Sequence, residues 1–418
     1  MARGSKPGND AYGTARKLDN ALRRLAANHR LAKGAKATLH RFVEDLAARG
    51  LSLHRQLWYL THLVPVAESL GSAFLRPSKD DVKAYVASVE RSALSDWSKA
   101  NKRTAVKRFY KWLLADDEEY PEAVRWIRTT AGTGHRVLPE NLPTKDEVDR
   151  LLRAAVNPRD RALIAVLADG GLRIGEALVL RRKDFHPDAY GGYLTVPAGK
   201  TGARRVRLVD AVPHVTAWLR AHPFREEDDA PLFCYLSDQR AATRTKGKDG
   251  PEERLTGHER GEPLTYPAAR AAIRKAAKRA GVSEAKVNPH AFRHYRATRL
   301  ARDVPEAPLE AHMGWVPGSK MSEVYVHLSG RDTDAAILRA HGIDVRGDET
   351  AEAEVPIRCP RCETWNEADA RFCQGCGMAL TVEAAEAVDE TTDFLGRLLL
   401  RVAEDPRLAR RLRDALEG

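Results

Sequence analysis

A helical repeat of apolar residues runs through the first third of the sequence and limits what this part can fold into. Between Ala37 and Leu114 apolar side chains recur at steps of three and four residues, as in Leu39/Phe42/Val43/Leu46, Val82/Tyr85/Val86/Val89 and Val106/Phe109/Tyr110/Leu113. This spacing is typical of amphipathic helices that bury their apolar faces against one another. Ser52 and Ser78 precede two of these stretches and are suited to N-caps. The pattern predicts an all-helical domain of four or five helices over residues 36–129.

A second structured region follows a stretch without any period. Residues 130–143 are rich in Gly and Pro and predict a linker, and Thr144 to Glu147 form a capping box that opens another helix. This region, 144–345, is expected to be helical except for a β-hairpin over Tyr193–Pro197 and Arg204–Val209, turning at 199–202. Residues 239–263 are polar and dense in Arg and Lys, and we expect them to form a long surface loop.

Charge is divided unevenly along the chain. The sequence holds 69 Lys and Arg against 58 Asp and Glu, a net charge of +11. From Arg346 onward 10 basic residues face 16 acidic ones, so this part carries −6 and residues 1–345 carry +17. A body of this charge suits a polyanion, although charge alone does not separate nucleic-acid binding from an ordinary solvated surface. No apolar run is long enough for a membrane span or signal peptide, which predicts a soluble cytoplasmic protein outside the membrane.

The cysteines are concentrated near the C-terminal end. Four of the five occur as two C-x-x-C pairs within 18 residues, at Cys359, Cys362, Cys373 and Cys376. Two such turns can present four thiolates to one tetrahedral ion, so residues 358–380 are predicted to form a ribbon around structural zinc. A redox pair and an iron–sulfur site are alternatives that fit this spacing less well. Cys234 lies in an apolar run and is expected to be buried.

The remaining segments flank these regions. Residues 1–35 are basic, with a short helical pattern at Leu18, Leu22 and Leu25, and are expected to form an N-terminal arm. Residues 346–357 are an acidic linker, and residues 381–418 read as an amphipathic helical tail. Its apolar stripe is too short to bury itself and should pack on the body or on another protomer.

Four short islands in residues 144–345 carry side chains suited to binding a phosphate. A double-Gly turn places Arg173 at a helix start, where N–H groups also favour an anion, and Glu176 can hold its guanidinium. Lys200 stands at the predicted hairpin tip, and His290 and Arg293 share one helical face. Trp315 and Tyr325 lie ten residues apart in the last island. Each feature alone is more often a surface ion pair, a solvated lysine or a core aromatic.

Taken in order, the islands resemble the tyrosine recombinase (phage integrase) family. The match covers Gly-Leu-Arg-x-x-Glu, a Lys in a hairpin, Pro-His-x-x-Arg-His, a Gly-His/Trp position and Tyr before x-His-Leu-Ser, and Lys107-Arg-Phe-Tyr-Lys-Trp112 is similar to the family's core-binding domain. The resemblance implies a catalytic set, which maps onto Arg173, Lys200, His290, Arg293, Trp315 and Tyr325, with Glu176 in support. Trp315 occupies a position usually held by His, and it cannot titrate.

The resemblance implies a fold and an activity. The fold is expected to be mainly α: a helical core-binding domain over 36–129, a mostly α catalytic domain with a small sheet over 144–345, and the C-terminal ribbon, as in some archaeal and viral members. Tyr325 would attack a DNA phosphate to form a 3′-phosphotyrosyl link, with Arg173, Arg293 and Trp315 at the phosphate. No catalytic metal would be required. The partners would be double-stranded DNA and further copies of the chain, acting as a tetramer.

Two other functions are compatible with parts of this pattern. A type IB topoisomerase shares the Tyr/Arg/Lys/His chemistry but relaxes supercoils as a monomer. A non-catalytic, zinc-containing DNA-binding regulator would account for the basic helices and the four cysteines, but it leaves the ordered catalytic set unexplained.

Overall fold

The computed structural model describes residues 12–115, 117–130, 141–199, 202–238, 241–247, 250–318, 322, 325, 355–385, 387–388, 391 and 395, with backbone alone at 198–199, 241–247 and 250–256. The chain divides into two compact units, Met1–Val137 and Leu138–Gly418.

The first unit is helical, as the apolar repeat predicts. Its helices are α1 (Thr14–Ala27), α2 (Lys33–Ala48), α3 (Leu53–Leu70), α4 (Lys79–Arg91), α5 (Asp96–Ala115) and the short α6 (Glu122–Arg125). Ser52 caps α3 by accepting from the backbone of Arg55, and Ser78 forms a capping box with Asp81. The core is aromatic, and Phe42 packs edge-on against both Tyr59 and Phe109.

Helix α1 corrects the prediction of a separate arm over residues 1–35. Leu18 and Leu25 are buried, and α1 packs along α3. Asn28, just past its end, donates a hydrogen bond of 2.8 Å to Glu68 in α3. The helical pattern at Leu18, Leu22 and Leu25 is therefore present, but the apolar side of this helix belongs to the domain core, so Thr14–Ala27 is part of the helical unit.

The second unit is built around one buried helix. Its helices are α7 (Lys145–Ala154), α8 (Pro158–Gly170), α9 (Ile174–Ala177), α10 (Val212–Ala221), α11 (Tyr266–Ala280), α12 (Pro289–Asp303) and α13 (Glu306–Met313). Helix α8 is buried from Ala162 to Gly170 and packs against α7, α10, α11 and α12. It ends at Gly170, and the following Gly171, with a φ of 62°, turns the chain toward α9.

Two antiparallel sheets and a small pair of strands complete this unit. The strands are β1 (Phe185–Asp188), β2 (Gly191–Gly199), β3 (Gly202–Leu208), β4 (Ala241–Gly247), β5 (Gly250–Thr256), β6 (Ile357–Arg358) and β7 (Trp365–Asn366). The predicted hairpin is β2–β3, and β1 adds to its β2 edge. The prediction of a long surface loop over residues 239–263 was wrong, because β4 and β5 lie in this stretch and pair antiparallel. Polar strands show no apolar alternation, so the pattern that reveals buried strands does not detect them.

The four-cysteine segment lies against α10 of its own chain. Strands β6 and β7 pair within it, and Gln374 donates a hydrogen bond of 3.3 Å from Nε2 to the carbonyl oxygen of Pro213. Arg220, also in α10, donates to Oγ1 of Thr364. Most of the predicted helical tail, residues 381–418, lies outside the described residues. Among the described helices, none combines the length and apolar character that crossing a membrane requires.

Candidate active site

Arg173 sits at the turn between α8 and α9, as the N-cap residue of α9. Its backbone N–H donates to Oε2 of Glu176 at 2.9 Å, and its Nη1 donates to Oε1 at 2.9 Å. The Arg173 side chain remains 43% exposed. The predicted Arg173–Glu176 pairing is therefore present, and it holds a guanidinium that remains partly open to solvent.

A second arginine that the sequence predictions do not include binds the same carboxylate. Arg204 in β3 donates from Nη1 and Nη2 to the two oxygens of Glu176, at 3.1 and 2.8 Å. Burial alone would raise the pKa of Glu176, but the hydrogen bonds and charges of Arg204 and Arg173 lower it to about 2. Arg204 lies on the same face of β3 as the buried Val206 and Leu208. An arginine at an inward-facing position of the strand was the feature of the sequence that could have identified it.

Helix α12 supplies the predicted His290 and Arg293. Asn288 caps the helix, and its side chain accepts from the N–H groups of His290 and Ala291. Arg293 is only 6% exposed, and burial, with the nearby cation of Arg173, lowers its pKa to about 10. Its Nη1 donates to the Gly171 carbonyl at 2.9 Å and its Nη2 to the Met313 carbonyl at 2.5 Å. These recorded partners are neutral, so the positive charge of Arg293 is available to an anion.

Three arginines meet at the C-terminal end of α13. The carbonyl oxygens of residues 312, 313 and 314 accept from different side chains, namely Arg204 at 3.0 Å, Arg293 at 2.5 Å and Arg173 at 3.3 Å. The end of a helix carries partial negative charge, which offsets repulsion among the cations. One helix end therefore sets the positions of all three guanidinium groups.

Trp315 and Tyr325 stack beside this cluster. Their rings are 5.1 Å apart at an interplanar angle of 12°, and Cζ of Arg293 lies 5.8 Å from the Trp315 ring. Tyr325 is 2% exposed, and burial raises its pKa to about 12. The hydroxyl of Tyr325 hydrogen-bonds to Nδ1 of His294, a residue for which the sequence predictions give no role.

His290 lies on the open side of the cluster. It is exposed, and its pKa is lowered by burial of part of the ring and by the charges of Arg293 and Arg173. The structure thus brings Arg173, Arg293 and His290 into one electrostatic environment, with Trp315 against Arg293 and Tyr325 against Trp315. Lys200 lies outside the described residues, between the ends of β2 and β3.

The four predicted metal-ligating cysteines form one cluster. The Sγ atoms of Cys359, Cys362, Cys373 and Cys376 all lie within 4.8 Å of one another. The Cys359–Cys376 and Cys362–Cys373 pairs are separated by 3.7 and 3.5 Å. A tetrahedral zinc site with Zn–S bonds of about 2.3 Å requires sulfurs about 3.8 Å apart. Cys234 is buried elsewhere, as predicted.

Comparisons with known proteins match both units. The phage integrase family model covers residues 142–331, and the model for the phage integrase N-terminal SAM-like domain covers residues 39–117. The tyrosine recombinase XerD of Caulobacter vibrioides is 27% identical over 273 residues, covering 63% of this chain and 81% of that protein. The tyrosine recombinase XerC of Yersinia pestis is 24% identical over 314 residues, covering 72% and 94%.

A solved structure agrees with the fold. A lambda integrase tetramer bound to a Holliday junction matches with a TM-score of 0.51 at 17% identity, over 71% of this chain and 78% of that one. The helical units, the small antiparallel sheet and the matched sequence models define an enzyme that breaks and rejoins DNA strands. The chain belongs to the tyrosine recombinase family, also called the phage integrase family. The family and the mainly α fold predicted from the sequence are thereby confirmed.

Proposed function

We propose that this chain is a site-specific recombinase in which Tyr325 is the nucleophile. Its phenolic oxygen attacks a scissile DNA phosphate, forms a 3′-phosphotyrosyl bond and releases a 5′-hydroxyl. Attack of a partner strand's 5′-hydroxyl on the phosphotyrosine restores the DNA and the free tyrosine. The observation that carries this proposal is the stacking of Tyr325 on Trp315, which in turn contacts the buried guanidinium of Arg293.

Arg293 and Arg173 are the proposed ligands of the phosphate. Negative charge grows on the phosphate oxygens as Tyr325 attacks, and forked guanidinium donors held in advance stabilise it without reorganising. Arg293 is held by two backbone carbonyls and Arg173 by Glu176, so their directions are set before DNA binds. Trp315 adds packing and an indole N–H donor. The two guanidinium groups supply the charge that a metal ion provides in other phosphoryl-transfer enzymes.

Proton transfer at the leaving group needs an acid. Lys200 is our candidate, because it stands in the sequence between the paired Gly199 and Gly202 of the β2–β3 hairpin and a lysine ammonium can donate a proton to the 5′-oxygen. His290 would help with proton transfer at Tyr325 or at the phosphate, since the charges of Arg173 and Arg293 already bear on its ring.

The nucleophile assignment is tested by the variant Tyr325→Phe on a nicked suicide substrate, which traps the covalent complex. We expect it to form no protein–DNA adduct while binding DNA like the wild type. Tyr295→Phe is the matched control, since Tyr295 is also buried and its hydroxyl accepts a hydrogen bond from Arg299. Adducts from Tyr325→Phe at the wild-type rate would refute the assignment.

The proposed partners are double-stranded DNA and further copies of the chain. The +17 charge of residues 1–345 suits the phosphate backbone, and the lambda integrase neighbour is a tetramer on a Holliday junction. We propose the same assembly here. Plasmids with one or two cognate sites test it: strand exchange should require two sites, and relaxation without any site requirement would indicate a topoisomerase instead.

We also propose that the cysteine cluster binds one zinc ion. Four thiolates fill a tetrahedral shell, so zinc would cross-link β6 and β7 to the following turn and take no part in cleavage. The full chain should purify with one zinc per polypeptide, measured by elemental mass spectrometry. Cys373→Ser should lose it, whereas Cys234→Ser, at a buried cysteine outside the cluster, should keep it. Zinc retained by Cys373→Ser would exclude this site.

A further inference from the structure

The hydroxyl of Tyr325 has a titratable partner that the proposed mechanism does not use. It hydrogen-bonds to Nδ1 of His294, and the two rings lie 5.7 Å apart at 32°. His294 follows Arg293 directly in α12, so the group that holds the nucleophile and the group that would bind the phosphate are joined by one peptide bond. This contact fixes the phenolic oxygen relative to the guanidinium more closely than the Trp315 stack can alone.

The surroundings of His294 favour a neutral ring. Its pKa is lowered by burial and then by the neighbouring His290 and Arg293 on the same helix. Trp315, which packs on Tyr325 from the end of α13, carries no titratable group. A neutral imidazole can leave Nδ1 unprotonated and able to accept, whereas Tyr325, with its raised pKa, keeps its proton until a base takes it.

We infer that His294 is the general base for Tyr325, a role that rests on the proposed nucleophile. As the Tyr325 oxygen bonds to phosphorus, its proton passes to Nδ1 of His294, and the bond from phosphorus to the 5′-oxygen breaks. The leaving oxygen takes a proton from the general acid, for which Lys200 is the candidate. His294 ends as an imidazolium, and the reverse attack returns its proton to Tyr325.

Other side chains around the site are less suited to this role. His290 is exposed at the first turn of α12, and within the described part of the chain the recorded partner of the Tyr325 hydroxyl is His294. Trp315 has an indole N–H that can only donate, so it cannot take a proton. Among the described residues, His294 therefore combines a titratable nitrogen with direct contact to the nucleophilic oxygen.

The test measures single-turnover cleavage of a suicide substrate by the full chain between pH 5 and pH 9. For the wild type we expect the rate to rise along an acid limb with an apparent pKa below 6.5, because protonated His294 cannot accept. His294→Ala should cleave about 100- to 1,000-fold more slowly, the usual contribution of a general base, and should lack that limb. His294→Asn keeps a polar partner for the hydroxyl but no titratable nitrogen, so it should also lack the limb.

Controls separate this inference from folding and from the proposed function. His258→Ala, at a histidine paired with Glu262, should keep the wild-type rate and pH profile. DNA binding and the urea midpoint show whether each His294 variant is folded, and His294→Asn serves if His294→Ala is not. A wild-type rate or an unchanged acid limb in the folded His294 variants would overturn the base assignment. Adduct formation by Tyr325→Phe would instead overturn the nucleophile on which it rests.

Discussion

Glu176→Gln removes the carboxylate that pairs with both Arg173 and Arg204. Among the described residues of the site, Glu176 is the only negatively charged group in these pairings. The carboxylate accepts from the backbone and side chain of Arg173 and from two nitrogens of Arg204, and its side chain is 14% exposed. Glutamine has nearly the same shape, but its amide nitrogen is a donor and would face a guanidinium that also donates. The substitution therefore tests charge and hydrogen bonding with little change in packing.

The size of the effect follows from the pKa of Glu176. Its fall from 4.5 to about 2 means that the ionised form is preferred in the folded protein. At about 1.4 kcal/mol for each tenfold preference, this is about 3 kcal/mol. We expect Glu176→Gln to lower the free energy of unfolding of the second unit by about that amount. Because Arg173 and Arg204 lose their common anchor, cleavage should slow by about 10- to 100-fold.

The matched control is Glu147→Gln, at the same N3 position of the capping box of α7. Glu147 accepts from the backbone of Thr144 at 2.8 Å and pairs with Lys286 at 3.2 Å, away from the arginine cluster. It should cost about 1 kcal/mol and leave cleavage unchanged. Stability would be measured by urea-dependent hydrogen exchange of α8 and α12 peptides, and cleavage on the suicide substrate. Equal effects of the two variants on cleavage would refute the anchoring role of Glu176.

Two further perturbations follow from the site and its surroundings. A Cβ on Gly314 would lie 2.8 Å from the guanidinium of Arg204, whereas Gly281 ends a helix at a similar φ and a Cβ there would meet nothing within 4 Å. Gly314→Ala should therefore slow cleavage about tenfold more than Gly281→Ala. Equal cleavage rates of the two variants would contradict this. Burial lowers the pKa of both His214 and His312 to about 4 in the folded protein, from an ordinary histidine value of 6.5. As the pH falls, the unfolded chain therefore binds protons at these histidines before the folded protein does. Stability, full above pH 6.5, should fall by about 2 kcal/mol per histidine at pH 5, and a flat urea midpoint between pH 7 and pH 5 would contradict this.

Local signals in the sequence account well for the helices. The apolar period and the caps at Ser52, Ser78 and Thr144 predict α2 to α5 and the start of α7, because helix formation and capping depend on neighbours within four residues. The hairpin β2–β3 follows from alternation and a Gly-containing turn. The polar pair β4–β5 and the packing of α1 depend on backbone pairing and tertiary contact, which periodicity does not report.

The sequence predicted the charged groups of the candidate site and the local Arg173–Glu176 pairing, but not the contacts between residues far apart in the chain. Arg173, Arg293 and Glu176 follow from motif positions, and the structure shows what holds them. Arg204 and His294 were missed because their partners, Glu176 and Tyr325, lie 28 and 31 positions away along the chain. Contacts at that separation are fixed by how β3 and α12 pack, and a single sequence carries little information about such pairings.

The carbonyl oxygens at the end of α13 accept hydrogen bonds from the three arginines of the cluster in the protein without DNA. These carbonyls occupy some of the donors of Arg173, Arg204 and Arg293, and each guanidinium carries five N–H groups. A phosphate bound as proposed would meet cations whose side-chain freedom was already lost when the protein folded. The cost of ordering them would then appear in the stability of the unit and be absent from the barrier to cleavage. Variation in the last turn of α13 would thus change all three arginines together, without altering any of them.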